Sequence, residues 1–151
     1  MPHLKFPTRG KTEESKMANA LYDLGRQAIL EGAIAWLTDN IKVVLVDSAD
    51  YTLNLATHDN LDDVAAAGRV ATSGNLGTKS STGGVADAAD VVLTSVTGDP
   101  CEYIIGYKDT GVESTSRLIF CIDTATGLPV TPNGGNITIT WDSGANKIFK
   151  L

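Results

Sequence analysis

The stretch Ile-Lys-Val-Val-Leu-Val-Asp at residues 41–47 constrains this chain more than any other. Its β-branched residues favour extended backbone, and apolar side chains fall on both alternating faces rather than on one. A strand with a single dry face would alternate, so this run predicts a central strand covered on both sides. The end of the chain shows the other pattern. Ile137, Ile139 and Trp141 alternate with Asn136, Thr138, Thr140 and Asp142, which predicts a strand with one buried and one wet face. A turn at residues 143–146 then predicts that the final residues, Lys-Ile-Phe-Lys-Leu, pair back on it.

Other runs fit the same picture. Residues 101–109 and 116–123 predict a hairpin across the intervening Thr/Gly/Ser-rich turn. Residues 69–73 and 84–96 predict further strands, joined by a Gly/Ser/Thr-rich segment that reads as a flexible connection. Residues 51–64 predict a short strand and a loop, with Asn60 capping a helical turn. Met17, Leu21, Leu24 and Ala28 share one helical stripe, predicting a helix over about 17–31 that stops at Gly32. Gly25 would cost that helix roughly 1 kcal/mol. The stripe can face its own domain or, through Met17, Leu21 and Leu24, a neighbouring subunit.

The expected fold class is therefore mainly β, an antiparallel β-sandwich or barrel of about seven to eight short strands. It would form one domain over residues 17–151, which suits a chain of 151 residues. Residues 1–16 have no apolar period and read as an extended basic arm. They also lack the apolar segment of a secretory signal. No apolar run approaches the ~20 residues of a membrane span, so no membrane partner is expected.

The formal charge of −6 is unevenly divided. In the arm, Lys5, Arg9, Lys11 and Lys16 outweigh Glu13 and Glu14 by two charges, whereas the body carries 8 basic and 16 acidic side chains. So acidic a body is the wrong surface for phosphate backbones, and no nucleic-acid partner is expected. A basic arm bearing Leu4 and Phe6 reads instead as a segment that docks on a protein partner, with Leu4, Lys5, Phe6, Arg9 and Lys11 making the contacts.

Motifs for chemistry are sparse. The loop Gly-Asn-Leu-Gly-Thr-Lys-Ser-Ser departs from a phosphate-binding loop, because Thr72 stands where the first glycine belongs and Thr78 displaces the lysine. His58 beside Asp59, Asp62 and Asp63 could hold a cation weakly, but the spacing matches no zinc or EF-hand site. No Gly-x-Ser-x-Gly elbow is present. Cys101 and Cys121 lie in apolar runs that strand pairing could bring together; the reading favours free, buried thiols. Trp141 falls on the apolar face as a core residue, leaving Tyr51 and Trp36 as the aromatics that could stack on a glycan in a host-recognition module. No catalytic residue, cofactor or metal is expected, and the chain reads as a part of an assembly rather than an enzyme.

Three blocks carry a resemblance. MANALYDLGRQAILEGAIAWLTDNIKVVLVDSADYTLNLATHDNLDDV, VTGDPCEYIIGYKDTG and IDTATGLPVTPNGGNITITWDSGANKIFKL follow in order through residues 17–151. Together they resemble a group of small structural proteins of tailed-bacteriophage virions. The resemblance implies a virion component assembled in the host bacterial cytoplasm. Its expected place is the capsid surface, as a decoration (cement) protein whose partner is the major capsid protein and which forms a homo-oligomer, with a trimer the first expectation. A tail or neck component is the alternative. No functional residue carries over, and the arm lies outside the resemblance.

Overall fold

A computed structural model describes residues 19–151. Its framework is a five-stranded antiparallel sheet. The order across it is β1 (Ala20–Leu21), β7 (Leu118–Ile122), β6 (Tyr103–Lys108), β2 (Ile41–Val46) and β3 (Arg69–Thr72). Two small antiparallel pairs complete the β structure, β4 (Val85–Ala86) with β9 (Phe149–Lys150) and β5 (Val91–Leu93) with β8 (Ile137–Ile139). The fold is mainly β, as the sequence predicts, but the barrel alternative is corrected: the large sheet ends in β1 and β3, which do not pair with each other.

β2 lies between β6 and β3, where its apolar character on both faces requires it to be. Ile41, Val43 and Leu45 join one core with Leu93, Ile139, Trp141 and Ile148 from the small pairs and the tail. Val44 and Val46 point to the opposite face, into a second core with Tyr22, Tyr51, Leu61 and Val64. The hairpin of β6 and β7 forms as expected, with Gly106 opposite Phe120. A Cβ on Gly106 would overlap the Phe120 ring, so the missing side chain is the space the ring fills.

Four expectations change. The helix α1 spans Asp23–Leu30, shorter than 17–31, because Ala20 and Leu21 are a strand paired with Cys121 and Phe120. Pairing is favoured there because it satisfies backbone groups along β7 while burying Leu21 and Tyr22 on opposite faces; Tyr22 N–H donates to Ile119 O at 2.9 Å. The predicted stop holds: Gly32 follows the helix with φ 73°. Gly25 also has its reason, since a Cβ there would sit 2.5 Å from Leu118 O and push α1 off β7.

The chain's last segment is not a hairpin. β8 pairs with β5 and β9 with β4, so residues 85–93 supply both partners. The segment at 74–84 is not a free connection either, since Leu76 is buried, its N–H donates to Ile41 O, and Asn75 Oδ1 accepts from Ile41 N–H. Finally, residues 51–55 form no strand; Tyr51 packs into the second core from a loop.

Candidate interaction site

The arm residues Leu4, Lys5, Phe6, Arg9 and Lys11, and Met17 of the expected oligomer face, lie outside the described residues. The rest of that face is divided. Leu21 is in the core of its own domain, so it is not available to a neighbour, because β1 rather than a helix carries it. Leu24, on α1, stays half-buried beside a shallow hollow of about 210 Å³.

A cleft of about 930 Å³ lies between β1, the end of β7 and the chain's last residues. It is the side opening of the first core. Phe120, Ile122, Ile139, Trp141, Ile148 and Phe149 form its apolar floor. Trp141 is fixed there: its indole N–H donates to Ala89 O at 3.1 Å, its backbone N–H donates to Asp90 Oδ1 at 3.1 Å, and its ring meets Phe120 edge-on. Asn19 stands at the rim. Its side-chain oxygen accepts from the N–H groups of Asp123 and Thr124, and its amide donates to Thr124 O. The point at which residues 1–18 join the body is therefore pinned to the end of β7.

Strand direction gathers charge at the same end. β2 and β7 both run antiparallel to β6, so the residues after β2, before β6 and after β7 share one end of the sheet. That end holds Asp47, Asp50, Asp99, Glu102 and Asp123, none of which forms an ion pair among the described residues. By contrast Arg26, Lys42, Arg69, Lys108, Arg117 and Lys147 each have a carboxylate within 4.0 Å. No motif marks this acidic end in the sequence, because three separate segments build it.

Neither cysteine is poised as a nucleophile. Both are free; burial pushes the Cys101 thiol up to about 11, with Glu102, Asp47 and Asp99 adding to it, and burial pushes Cys121 up to about 12. On the opposite face of the sheet, Tyr22 and Tyr51 hydroxyls lie 3.0 Å apart, and Tyr51 reaches His58 Nδ1 at 2.8 Å. Burial raises both phenols, Tyr51 to about 12 and Tyr22 further, so the relay holds neutral hydroxyls and acts as a brace.

That brace uses the histidine that the sequence offers as a cation ligand. Asp59 is taken by Arg117 at 2.9 Å and Asp63 by the Asp59 N–H at 2.7 Å. Among the described residues no group of three or more His, Cys, Asp or Glu side chains is arranged to hold a metal ion. Asn60 precedes the 3₁₀ turn at Leu61–Asp63 but gives it no side-chain cap, a correction to the expected cap, and its Oδ1 is buried without a partner. The glycan-stacking expectation also loses its residues. Tyr51 is buried, and Trp36 packs edge-on against Phe149 while its indole N–H donates to Asp87 O.

No family model matches the chain, and no curated protein matches it.

Proposed function

We propose that this protein is a structural component of a tailed-bacteriophage virion, a capsid decoration protein that binds between major capsid subunits and stabilises the head. The observation that carries the reading is the division of the chain into a basic arm and an acidic, tightly braced β body, joined at a pinned residue. It adds to the resemblance over residues 17–151, which points to virion structural proteins. A body with hydrophobic cores on both faces of one sheet suits a part that must keep its shape under load. The arm would then supply contact area on the shell, with Leu4 and Phe6 as apolar anchors and Lys5, Arg9 and Lys11 as rim charges of modest individual worth.

Many copies bound side by side retain each other when neighbours also touch, so weak single contacts suffice. A homotrimer matches the local threefold junctions of a shell, and Leu24 remains available for it. The test is co-sedimentation of the protein with emptied capsids that lack it, and separately with isolated tails. Saturable binding at hundreds of copies per capsid is expected, on the order of one set per shell junction. Binding only to tails, or a few copies per particle, would move the protein to the neck or tail and end the decoration reading.

A further inference from the structure

We infer that in the free protein the cleft beside Asn19 is the seat of the chain's own arm, with Leu4 and Phe6 inserted over the apolar floor. Three independent observations converge on this occupant. The first is where the arm begins. Asn19 and Ala20 line the cleft themselves, and the side-chain bonds of Asn19 to Asp123 and Thr124 fix the arm's exit at the rim. Residues 1–18 reach at most about 60 Å when extended, far more than a return into the adjacent opening requires. The second is the cleft's chemistry. Its floor is the side of a core, half-open at Ile122 and Phe149, and it takes apolar side chains carried on a chain segment rather than a charged small molecule.

The third is charge. Asp123 sits between the lining residues Ile122 and Thr124, and it continues into Asp47, Asp50, Asp99 and Glu102. They are among the described carboxylates that form no ion pair, as are Glu31, Asp62, Asp63, Asp90 and Asp142, while the arm brings Lys5, Arg9, Lys11 and Lys16. The cleft itself is lined by Arg26, Lys147 and Lys150 against Asp142, and none of Asp47, Asp50, Asp99, Glu102 and Asp123 lines it, so the arm's basic residues belong outside it, at the Asp123 end, and the apolar pair inside. Attachment to the same chain favours this partner over a second copy, because a short tether gives an effective concentration in the millimolar range. Docking of the arm on any larger assembly then exchanges one apolar seat for another. The inference concerns the isolated protein and holds whether or not the shell is its destination.

The experiment uses the full chain and paramagnetic relaxation. His3→Cys places a nitroxide next to the anchors, and Cys101 and Cys121, at 0% and 2% exposure, remain unlabelled. In isotopically labelled protein the nitroxide should broaden the amides of Ile139, Trp141 and Phe149 and leave those of Asp109 and Gly111, at the opposite end of β6, sharp. Adding Leu4→Ala and Phe6→Ala should relieve that broadening, since each buried apolar side chain is worth roughly a factor of ten in occupancy. No broadening at the cleft overturns the inference. So does broadening that appears only when spin-labelled chains are mixed with separate isotopically labelled ones, because the occupant is then a second copy's arm. Capsid co-sedimentation is a separate readout, and its failure leaves this result untouched.

Discussion

The two faces of the five-stranded sheet are closed by different means, and the aromatic residues divide accordingly. The first face is covered largely by the small strand pairs and the tail, joined by Ala28 of α1 and the loop residues Ile34 and Leu76, and it takes both tryptophans, Trp141 in the core and Trp36 packed against it. The second face is covered by loops and 3₁₀ turns from residues 51–68, and it takes all four tyrosines. Strands satisfy their own backbone, so their cover can be wholly apolar. A loop cover leaves polar groups that need partners, which is why its aromatics carry hydroxyls and why Tyr22, Tyr51 and His58 join in one hydrogen-bonded row. A buried surface can thus be dry or braced depending on what lies over it.

The comparison can be broken hardest at Phe120. Its ring meets Trp141 and Phe149 and lies over Gly106, so Phe120→Ala should cost about 3–5 kcal/mol in urea unfolding. Gly106→Ala comes next, at about 2–3 kcal/mol, because the new methyl overlaps a ring that is 2% exposed and has nowhere to go. The double variant distinguishes overlap from a general intolerance of β6. If ring and glycine are one fitted pair, the added methyl is harmless once the ring is gone, and the double variant unfolds no more easily than Phe120→Ala alone. Additive losses would mean that Gly106 is needed for its backbone.

Both faces of β2 are legible in the sequence, since an apolar, mostly β-branched run interrupted only by Lys42 has one economical place in a sheet, and the β6–β7 hairpin follows from two nearby runs. The leading strand is not. Leu21 and Leu24 fit a helical stripe, and nothing local reveals that β7 offers Ala20 and Leu21 a free edge. The partners of β8 and β9 are hidden for a related reason: ladders of two and three residues are selected by the finished core, not by a turn. The cleft and the acidic sheet end exist only once β2, β6 and β7 are aligned, so no window of sequence contains them. Tyr51 reads as exposed because its loop looks polar, whereas the loop's polarity serves the row of bonds beneath it.

That row gives a smaller effect than the ring. Tyr51→Phe removes the hydroxyl between Tyr22 and His58, leaving Tyr22, itself fully buried, without its partner; the loss should be about 1–2 kcal/mol in the same assay. Tyr103→Phe, whose hydroxyl joins no such row, serves as the control and should change stability by no more than about 0.5 kcal/mol. Equal losses would mean that the second face needs tyrosine for its bulk alone, and the distinction between a dry and a braced face would fail.

The smallest effect separates the faces by acid. The loop that braces the 3₁₀ turn over the second face is held by Arg69, which grips both oxygens of Glu113, and by Lys42 on Asp109. The bond from Arg69 holds the Glu113 carboxyl below its ordinary 4.5, and the bond from Lys42 with the Gly111 N–H holds Asp109 below 3.8. Groups depressed in the folded state contribute stability that is complete above their ordinary values and is lost as pH falls through the depressed ones. The Lys42–Asp109 pair is partly exposed, so its share is about 0.5 kcal/mol. The first face has one such pair, Lys108 with Asp39 at 3.0 Å, which ties the loop at 31–40 to β6; at the small strand pairs and the tail the described residues hold the 3.7 Å contact of Lys147 with Asp87. Acidification should therefore weaken the tyrosine signal in near-ultraviolet circular dichroism before it shifts tryptophan emission. Superimposable acid transitions would mean instead that the two covers melt as one unit, because the sheet they share transmits the loss of either one across its full thickness.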